Sequence, residues 1–156
     1  MPSDDPVLPL RGGCQCGAVR YELRAIPTGA SICHCRMCQK AGGGPFMAFT
    51  GVNSADLVFT RGAPTKFASS EIAERGFCAA CGTPLTYAMK ARARIGVTLG
   101  SLDDPARFAP RDQLGVESRT PWFDSLAGLP EHRTGDWLAK VGLAEVGSHQ
   151  HPDRET

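Results

Sequence analysis

The residues with the most distinctive chemistry in this chain are its seven cysteines, which fall into three short blocks. The blocks are CQC at positions 14–16, CHCRMC at 33–38 and CAAC at 78–81. Cysteines two or three residues apart can direct their sulfur atoms to one point, as the ligands of zinc sites do. An odd number leaves one thiol over in any disulfide scheme, whereas four plus three divides into one complete metal site and one incomplete site.

The first and third blocks predict a closed, structural zinc site on Cys14, Cys16, Cys78 and Cys81. In an extended segment, residues i and i+2 point to the same side, so CQC can present two thiolates to one ion. CAACG resembles a zinc knuckle, in which Gly82 takes a left-handed conformation. Buried free thiols are the alternative. A thioredoxin-like site is disfavoured, because the residues after CAAC indicate a turn entering a strand and not a helix.

The middle block predicts a second site on Cys33, Cys35 and Cys38 with an open fourth position. His34 lies between two ligand positions and is expected to point away from them. Three protein ligands plus an exchangeable one is the arrangement of catalytic zinc, so these cysteines are the predicted catalytic residues. Three thiolates leave zinc a weak Lewis acid, and the glutamate motifs of zinc deaminases do not occur here. A soft thiol is therefore the expected fourth ligand.

Residues beside the middle block are candidates for holding that ligand. Three consecutive glycines would give a wall without side chains, against which a ligand could approach the backbone closely. A flexible connection is the alternative for this run. The predicted ligand-binding residues are Lys40, Gly42, Gly43 and Gly44, with Arg36 and Arg119 as further cations that could contact carboxylates. Trp122 and Phe123 are assigned to the core.

The elements that must position these residues are short strands. Eighteen glycines and twelve prolines separate brief runs of β-branched and aromatic residues, a pattern typical of β structure. Predicted strands cover 18–24, 46–51, 57–60, 72–77, 85–89, 94–99 and 114–118. Short helical turns are predicted after Cys38, near 103–105 and over 136–145. The length favours a single domain at 10–144, with flexible tails at 1–9 and 145–156.

Composition excludes several classes of partner. Seventeen Lys and Arg balance sixteen Asp and Glu, so the chain lacks the basic field that nucleic acid requires. The start, MPSDDPVLPLRGG, has no basic segment followed by an apolar one, and no run is long enough to span a bilayer. We expect a cytoplasmic protein without nucleic-acid or membrane partners, and leave self-association open.

The three blocks together resemble the glutathione-dependent formaldehyde-activating enzyme family. The similarity lies in GGCQCGAVRY, CHCRMCQKAGGGPF and FCAACGTPL, in that order, followed by VESR and PWFD. It implies a β-tent zinc fold of antiparallel sheets, with one structural Zn²⁺ and one exchangeable or catalytic Zn²⁺. It also implies a carbon-sulfur lyase that joins glutathione to formaldehyde, giving S-(hydroxymethyl)glutathione, or reverses this reaction.

One departure and two rival functions accompany this resemblance. Gln113 stands in a segment where relatives often have histidine, which removes a group able to transfer protons. A non-catalytic zinc-binding scaffold or chaperone module is the main alternative, because fold does not determine function. An iron-sulfur or redox protein is the second. A pure scaffold would require one closed zinc site, so the open cysteine cluster favours the enzyme.

Overall fold

The structure is a computed structural model, and it describes residues 6–156. The first five residues of the predicted amino-terminal tail lie outside the described residues. Over residues 6–156, ten strands form two sheets and two short α-helices interrupt them. The strands are β1 Leu10–Gly13, β2 Arg20–Leu23, β3 Thr28–Cys33, β4 Met47–Asn53, β5 Leu57–Arg61, β6 Thr65–Ala68, β7 Ala73–Phe77, β8 Pro84–Met89, β9 Arg94–Thr98 and β10 Asp112–Leu114, and the helices are α1 Arg36–Gly42 and α2 Thr134–Lys140.

The small sheet has the strand order β1-β2-β5, and the large sheet has the order β10-β3-β4-β9-β8-β7-β6. Neighbouring strands are antiparallel, except for the parallel pair of β10 and β3. Short 3-10 turns connect several of these elements. The predicted mainly β fold of antiparallel sheets with short helical segments is therefore confirmed.

The core lies between the two sheets. Tyr21 and Leu23 from the small sheet pack in one buried cluster with Val52, Leu85 and Val97 from the large sheet. Full burial of an aliphatic side chain of this size contributes about 1.5–3 kcal/mol. Cys14 and Cys78 belong to the same cluster, so one member of each outer cysteine pair is part of the core.

A buried ion pair connects the small sheet to the segment after β9. Arg20 is 3% exposed, and its guanidinium donates to both carboxylate oxygens of Asp103 at 2.7 and 2.6 Å. The neighbouring Tyr21 hydroxyl lies 2.7 Å from Ser101 Oγ. Two charged hydrogen bonds in parallel satisfy this guanidinium, as a buried arginine requires.

The structure corrects several predicted elements. The strand predicted at 114–118 ends at Leu114, because Gly115 takes a left-handed φ of 62° and a 3-10 turn follows at Val116–Ser118. The helix predicted after Cys38 already begins at Arg36 and includes that cysteine. Three strands, β1, β3 and β6, are not predicted from the sequence. Glycine occupies half of β1, small residues dominate β3 and every residue of β6 is exposed, so none of them shows a strong alternating pattern.

The end of the chain lies beside the first cysteine block. The His151 N–H donates to the Gln15 carbonyl at 2.7 Å, and Glu155 pairs with Arg11 at 3.2 Å. The domain boundaries at 10 and 144 stay a prediction. No helix among residues 6–156 is long and apolar enough to cross a bilayer.

Candidate metal centres and active site

The two outer cysteine blocks meet in one cluster. Cys14 and Cys16 lie between β1 and β2, and Cys78 and Cys81 lie between β7 and β8. All four sulfur atoms are within 4.8 Å of one another, with Cys14 to Cys16 at 3.6 Å and Cys16 to Cys78 at 3.9 Å. Tetrahedral zinc with Zn–S bonds of about 2.3 Å requires sulfur atoms about 3.8 Å apart. The spacing therefore fits zinc.

Two left-handed glycines shape the loops of this four-cysteine cluster. Gly82 has a φ of 78°, and its N–H donates to the Cys78 carbonyl at 2.8 Å, which confirms the predicted conformation. Gly17 has a φ of 76° and repeats the bond with the Cys14 carbonyl at 3.1 Å. The expectation that Cys14 to Cys16 is extended is wrong, because β1 ends at Gly13 and the pair lies in a tight turn.

Hydrogen bonds reach two sulfur atoms of this cluster, and at Cys81 they favour the thiolate. The Val19 N–H lies 3.2 Å from Cys14 Sγ, and the Thr83 hydroxyl lies 3.1 Å from Cys81 Sγ. Burial raises the pKa of Cys81, but bonds from Thr83 and from the backbone outweigh it and lower the pKa to about 6. Deprotonated cysteine is the form that binds zinc.

The middle block forms a second cluster within one short segment. Cys33 ends β3, Cys35 is the N-cap of α1 and Cys38 lies in the first turn of that helix. Their sulfur atoms are within 4.8 Å of one another, and the Cys38 N–H contacts Cys35 Sγ at 3.4 Å. No other His, Cys, Asp or Glu of the described chain joins these three. The donor set fits a soft metal ion with one position left for another ligand.

The thiols of this three-cysteine cluster differ in accessibility. Cys38 is buried, whereas Cys33 and Cys35 are half-buried. Burial raises the pKa of Cys33 to about 12. Burial acts in the same direction on Cys35, but bonds from the Cys38 N–H and the neighbouring thiols outweigh it, so this pKa is lowered. The accessible side of the cluster is therefore the side of Cys33 and Cys35.

Arg75 on β7 contacts the three-cysteine cluster on its buried side, and it is not predicted from the sequence. Its Nη2 lies 3.2 Å from Cys38 Sγ, and its Nη1 lies 3.6 Å from Met47 Sδ. Burial raises the Cys38 pKa, and the bond from Arg75 opposes this rise. The available signal was a charged residue in a strand that leads directly into the CAAC block.

His34 points away from the thiols, as expected. It is 0% exposed and packs edge-on against Phe46 and Phe123, with ring centroids 5.9 and 4.7 Å away. Its Nε2 lies 3.0 Å from Gln113 Oε1, and because an amide oxygen only accepts, Nε2 is the donor of this bond. Gln113 thus holds the histidine of the three-cysteine segment in place.

Residues from β10 onward form hydrogen bonds with the segment that carries the three cysteines. The His34 N–H donates to the Leu114 carbonyl at 2.8 Å, and Gln39 Nε2 donates to the Ser118 carbonyl at 2.9 Å. A Cβ on Gly115 would lie 2.7 Å from the Cys35 nitrogen. The backbone at Gly115 therefore lies so close to the cysteine loop that a residue with a side chain would not fit there without a shift.

Comparison with known protein families identifies a match that spans most of the chain. The family profile described as "Glutathione-dependent formaldehyde-activating enzyme" matches residues 9–118, which contain both clusters and Arg75. The chain belongs to this family. PWFD at 121–124 lies beyond the match, although Phe123 contacts His34.

Two relatives and one solved structure are also similar to this chain. A Halomonas elongata protein named for the same enzyme is 29% identical over 154 residues, covering 87% of this chain and 98% of that protein. An uncharacterized lyase of Schizosaccharomyces pombe is 36% identical over 77 residues, 49% of this chain and 56% of its own length. A crystal structure of a Rhodobacter sphaeroides protein aligns with a TM-score of 0.56 at 23% identity, covering 67% of this chain and 99% of that one. This last likeness concerns the fold alone.

The fold itself explains two of the three glycines at positions 42–44. Gly43 is the left-handed C-cap of α1 with a φ of 67°, and a Cβ on Gly42 would lie 2.5 Å from Met47 Cγ. Gly44 has neither constraint, since its Cβ would meet only the Phe46 carbonyl at 3.7 Å. Of the three, Gly44 is the position where the absence of a side chain has no structural explanation.

The candidate cations lie at the surface. Lys40 is exposed in the last turn of α1, where a positive charge favours the helix end. Arg36 contacts the Gln39 side chain, and Arg119 lies 3.7 Å from Asp124. Trp122 is 51% exposed, so its assignment to the core is wrong. Phe123 is half-buried, and its ring contacts His34 and Phe46 outside the core cluster.

Proposed function

We propose that this protein is a zinc-dependent enzyme of the carbon-sulfur lyase type. It joins a small aldehyde to a thiol such as glutathione, or releases both from their adduct. The observation that carries this proposal is the three-cysteine cluster, which has two accessible thiols and no fourth side-chain ligand within residues 6–156. Membership of the family supports glutathione and formaldehyde as substrates.

The two clusters have different proposed roles. Cys14, Cys16, Cys78 and Cys81 would hold a structural zinc, because their four ligands leave no open position. Cys33, Cys35 and Cys38 would hold the exchangeable zinc. When bound there, zinc keeps an incoming thiol in its thiolate form at neutral pH.

The surrounding residues would orient the thiol substrate. Gly44 leaves room for a peptide beside the end of α1, and the exposed Lys40 and Arg36 can contact its carboxylates. Gln113 is occupied with His34 and does not titrate near neutral pH, so it transfers no proton. We therefore propose that the proton exchange of this reaction takes place with solvent.

The proposed reaction is an addition without oxidation or reduction. The thiol loses its proton, and the sulfur lone pair forms a bond to the carbonyl carbon of the aldehyde. The π electrons of the C=O bond move to oxygen, which takes up a proton. Thiol and formaldehyde thus give one S-hydroxymethyl product, and the reverse reaction breaks the same carbon-sulfur bond.

We also propose the cellular compartment in which the protein works. The described part of the chain contains seven cysteines, and none is paired in a disulfide. Thiols of this kind persist in a reducing compartment, which favours the cytoplasm.

The decisive experiment measures metal content, thiol binding and rate on the same zinc-loaded preparation. We expect two zinc ions per chain, binding of glutathione, and faster formation of the hydroxymethyl adduct than in buffer, followed by NMR. S-methylglutathione should bind clearly worse, because it cannot form a thiolate. Two zinc ions without any effect of glutathione would contradict the enzyme and favour the scaffold. A coloured protein containing iron would favour the redox alternative.

A further inference from the structure

The buried guanidinium of Arg75 has no carboxylate partner in the part of the chain that the structure describes. Arg75 is 4% exposed, and none of the ion pairs within residues 6–156 includes it. Its other contacts are neutral: Ser69 Oγ at 2.9 Å, Met47 Sδ at 3.6 Å and the Tyr87 ring, whose centroid is 4.9 Å away. A buried charge without a counter-charge is unfavourable, and arginine does not lose its proton in proteins.

Arg20 shows how the same fold treats a buried arginine elsewhere. Its exposure is almost the same, but it has a bidentate bond to Asp103. For Arg75, the group in the corresponding place is Cys38 Sγ at 3.2 Å. With a metal bound and its thiols ionised, the three-cysteine cluster would be the source of negative charge that Arg75 faces.

The charge that the three-cysteine cluster would carry with a metal bound determines what its contact with Arg75 does. Three thiolates around a divalent ion leave one net negative charge, which opposes a further anionic ligand. A guanidinium on the buried side offsets that charge without occupying the accessible side of Cys33 and Cys35. The interaction is strong because both groups are removed from water.

We propose that Arg75 is the counter-ion of the three-cysteine metal site and lets it accept an anionic fourth ligand. Arg75 acts through Cys38 and touches no substrate, so it is a positioning residue and not a catalytic one. The inference rests on the proposed function for the identity of that ligand, a thiolate. Its effect on metal retention does not depend on that identity.

The first test measures retention of the second zinc. Arg75→Gln removes the charge, Arg75→Lys keeps it, and Arg20→Gln removes the other buried arginine as a matched control. After competition with a chelator, we expect Arg75→Gln to hold the second zinc at least tenfold more weakly while the first zinc is retained. Arg75→Lys should recover most of the loss, and Arg20→Gln should leave second-site affinity unchanged. Equal losses in the Gln and Lys variants would overturn the proposal, because they would indicate packing and not charge.

The second test measures ligand preference on the Co²⁺-substituted proteins by visible absorption. Glutathione is the anionic ligand and imidazole the neutral one. We expect the ratio of their dissociation constants to shift at least tenfold toward imidazole in Arg75→Gln. A purely structural role would leave this ratio unchanged, which would also overturn the proposal. If the parent protein retains its second metal but binds no glutathione, the proposed function fails while the zinc-retention test of Arg75 still holds.

A second variant covers the case in which Arg75→Gln does not fold. Ser69→Ala removes the neutral hydroxyl that anchors Arg75 Nε, at a distance from the cysteines. It should weaken second-site zinc in the same direction by a smaller factor, about threefold. Unchanged second-site zinc affinity in folded Ser69→Ala would overturn the proposal.

Discussion

The two cysteine clusters use the same ligand atom but organise very different amounts of the fold. The four-cysteine cluster joins loops from both sheets, and its contact between Cys16 Sγ and Cys78 Sγ spans 62 residues of the chain. The three-cysteine cluster lies within six consecutive residues at the end of β3 and the start of α1. A link that closes a long loop restricts the unfolded chain more than one that closes a short loop. The first cluster is therefore suited to stability, and the second is free to serve a ligand.

The largest expected effect follows from opening the four-cysteine cluster. Cys78→Ser removes a buried ligand that also belongs to the core. Structural zinc contributes about 10–16 kcal/mol of apparent binding free energy in small modules, more than most domains have in reserve. We expect unfolded or insoluble protein, measured by circular dichroism and zinc content. Ala79→Ser in the same turn is the control, and a Cys78→Ser protein with unchanged thermal stability would refute the structural site.

Opening the three-cysteine cluster should have a smaller effect on folding. Cys35→Ser removes a half-buried ligand from a short loop, so we expect a folded protein that has lost its second zinc and its activity. Metal analysis and thermal unfolding measure the two effects separately. Met37→Ser, at an exposed position in the first turn of α1, is the control. Collapse as complete as that of Cys78→Ser would show that this cluster is structural too.

The same contrast explains which parts of the molecule were predictable. The three-cysteine cluster and each pair of the four-cysteine cluster follow from local spacing, because cysteines two or three residues apart can meet whatever the surrounding fold. The meeting of the two distant pairs follows from the division of seven cysteines into four plus three. Gly82 was predictable for the same reason, since its left-handed conformation belongs to the turn itself. The mainly β fold followed from the short β-branched runs between glycines and prolines.

Contacts between distant strands were not predictable in this way. Arg75 lies 37 residues from Cys38 in sequence, and its role depends on the strand order of the large sheet. The pairing of Gln113 with His34 likewise depends on the parallel register of β10 and β3. The glycine run predicts a ligand wall, whereas Gly43 is the C-cap of a helix that begins three residues earlier than the turn predicted after Cys38.

A backbone change behind the cysteine loop should weaken the second site without removing a ligand. Gly115→Ala introduces a Cβ 2.7 Å from the Cys35 nitrogen at a φ of 62°. The left-handed conformation alone costs about 1–2 kcal/mol, and the close contact requires the loop to move. We expect lower second-site zinc affinity in a chelator competition with the first zinc retained. Gly100→Ala, where no atom lies within 4 Å of the added Cβ, is the control.

The smallest expected effect concerns the space for a ligand beside α1. Gly43→Val would confuse folding with binding, because Gly43 has a φ of 67°, whereas Gly44 has ordinary room for a Cβ. Gly44→Val should therefore keep both metals and the unfolding midpoint, while glutathione binds a few-fold more weakly, a change of about 1 kcal/mol or less. Calorimetric titration with glutathione and S-methylglutathione measures this. If the parent binds both compounds equally, recognition rests on Arg36, Lys40 or Arg119 and not on the thiol. Unchanged glutathione affinity in Gly44→Val would mean that the peptide leaves the cluster on another side, past the exposed edge of Cys33 and Cys35.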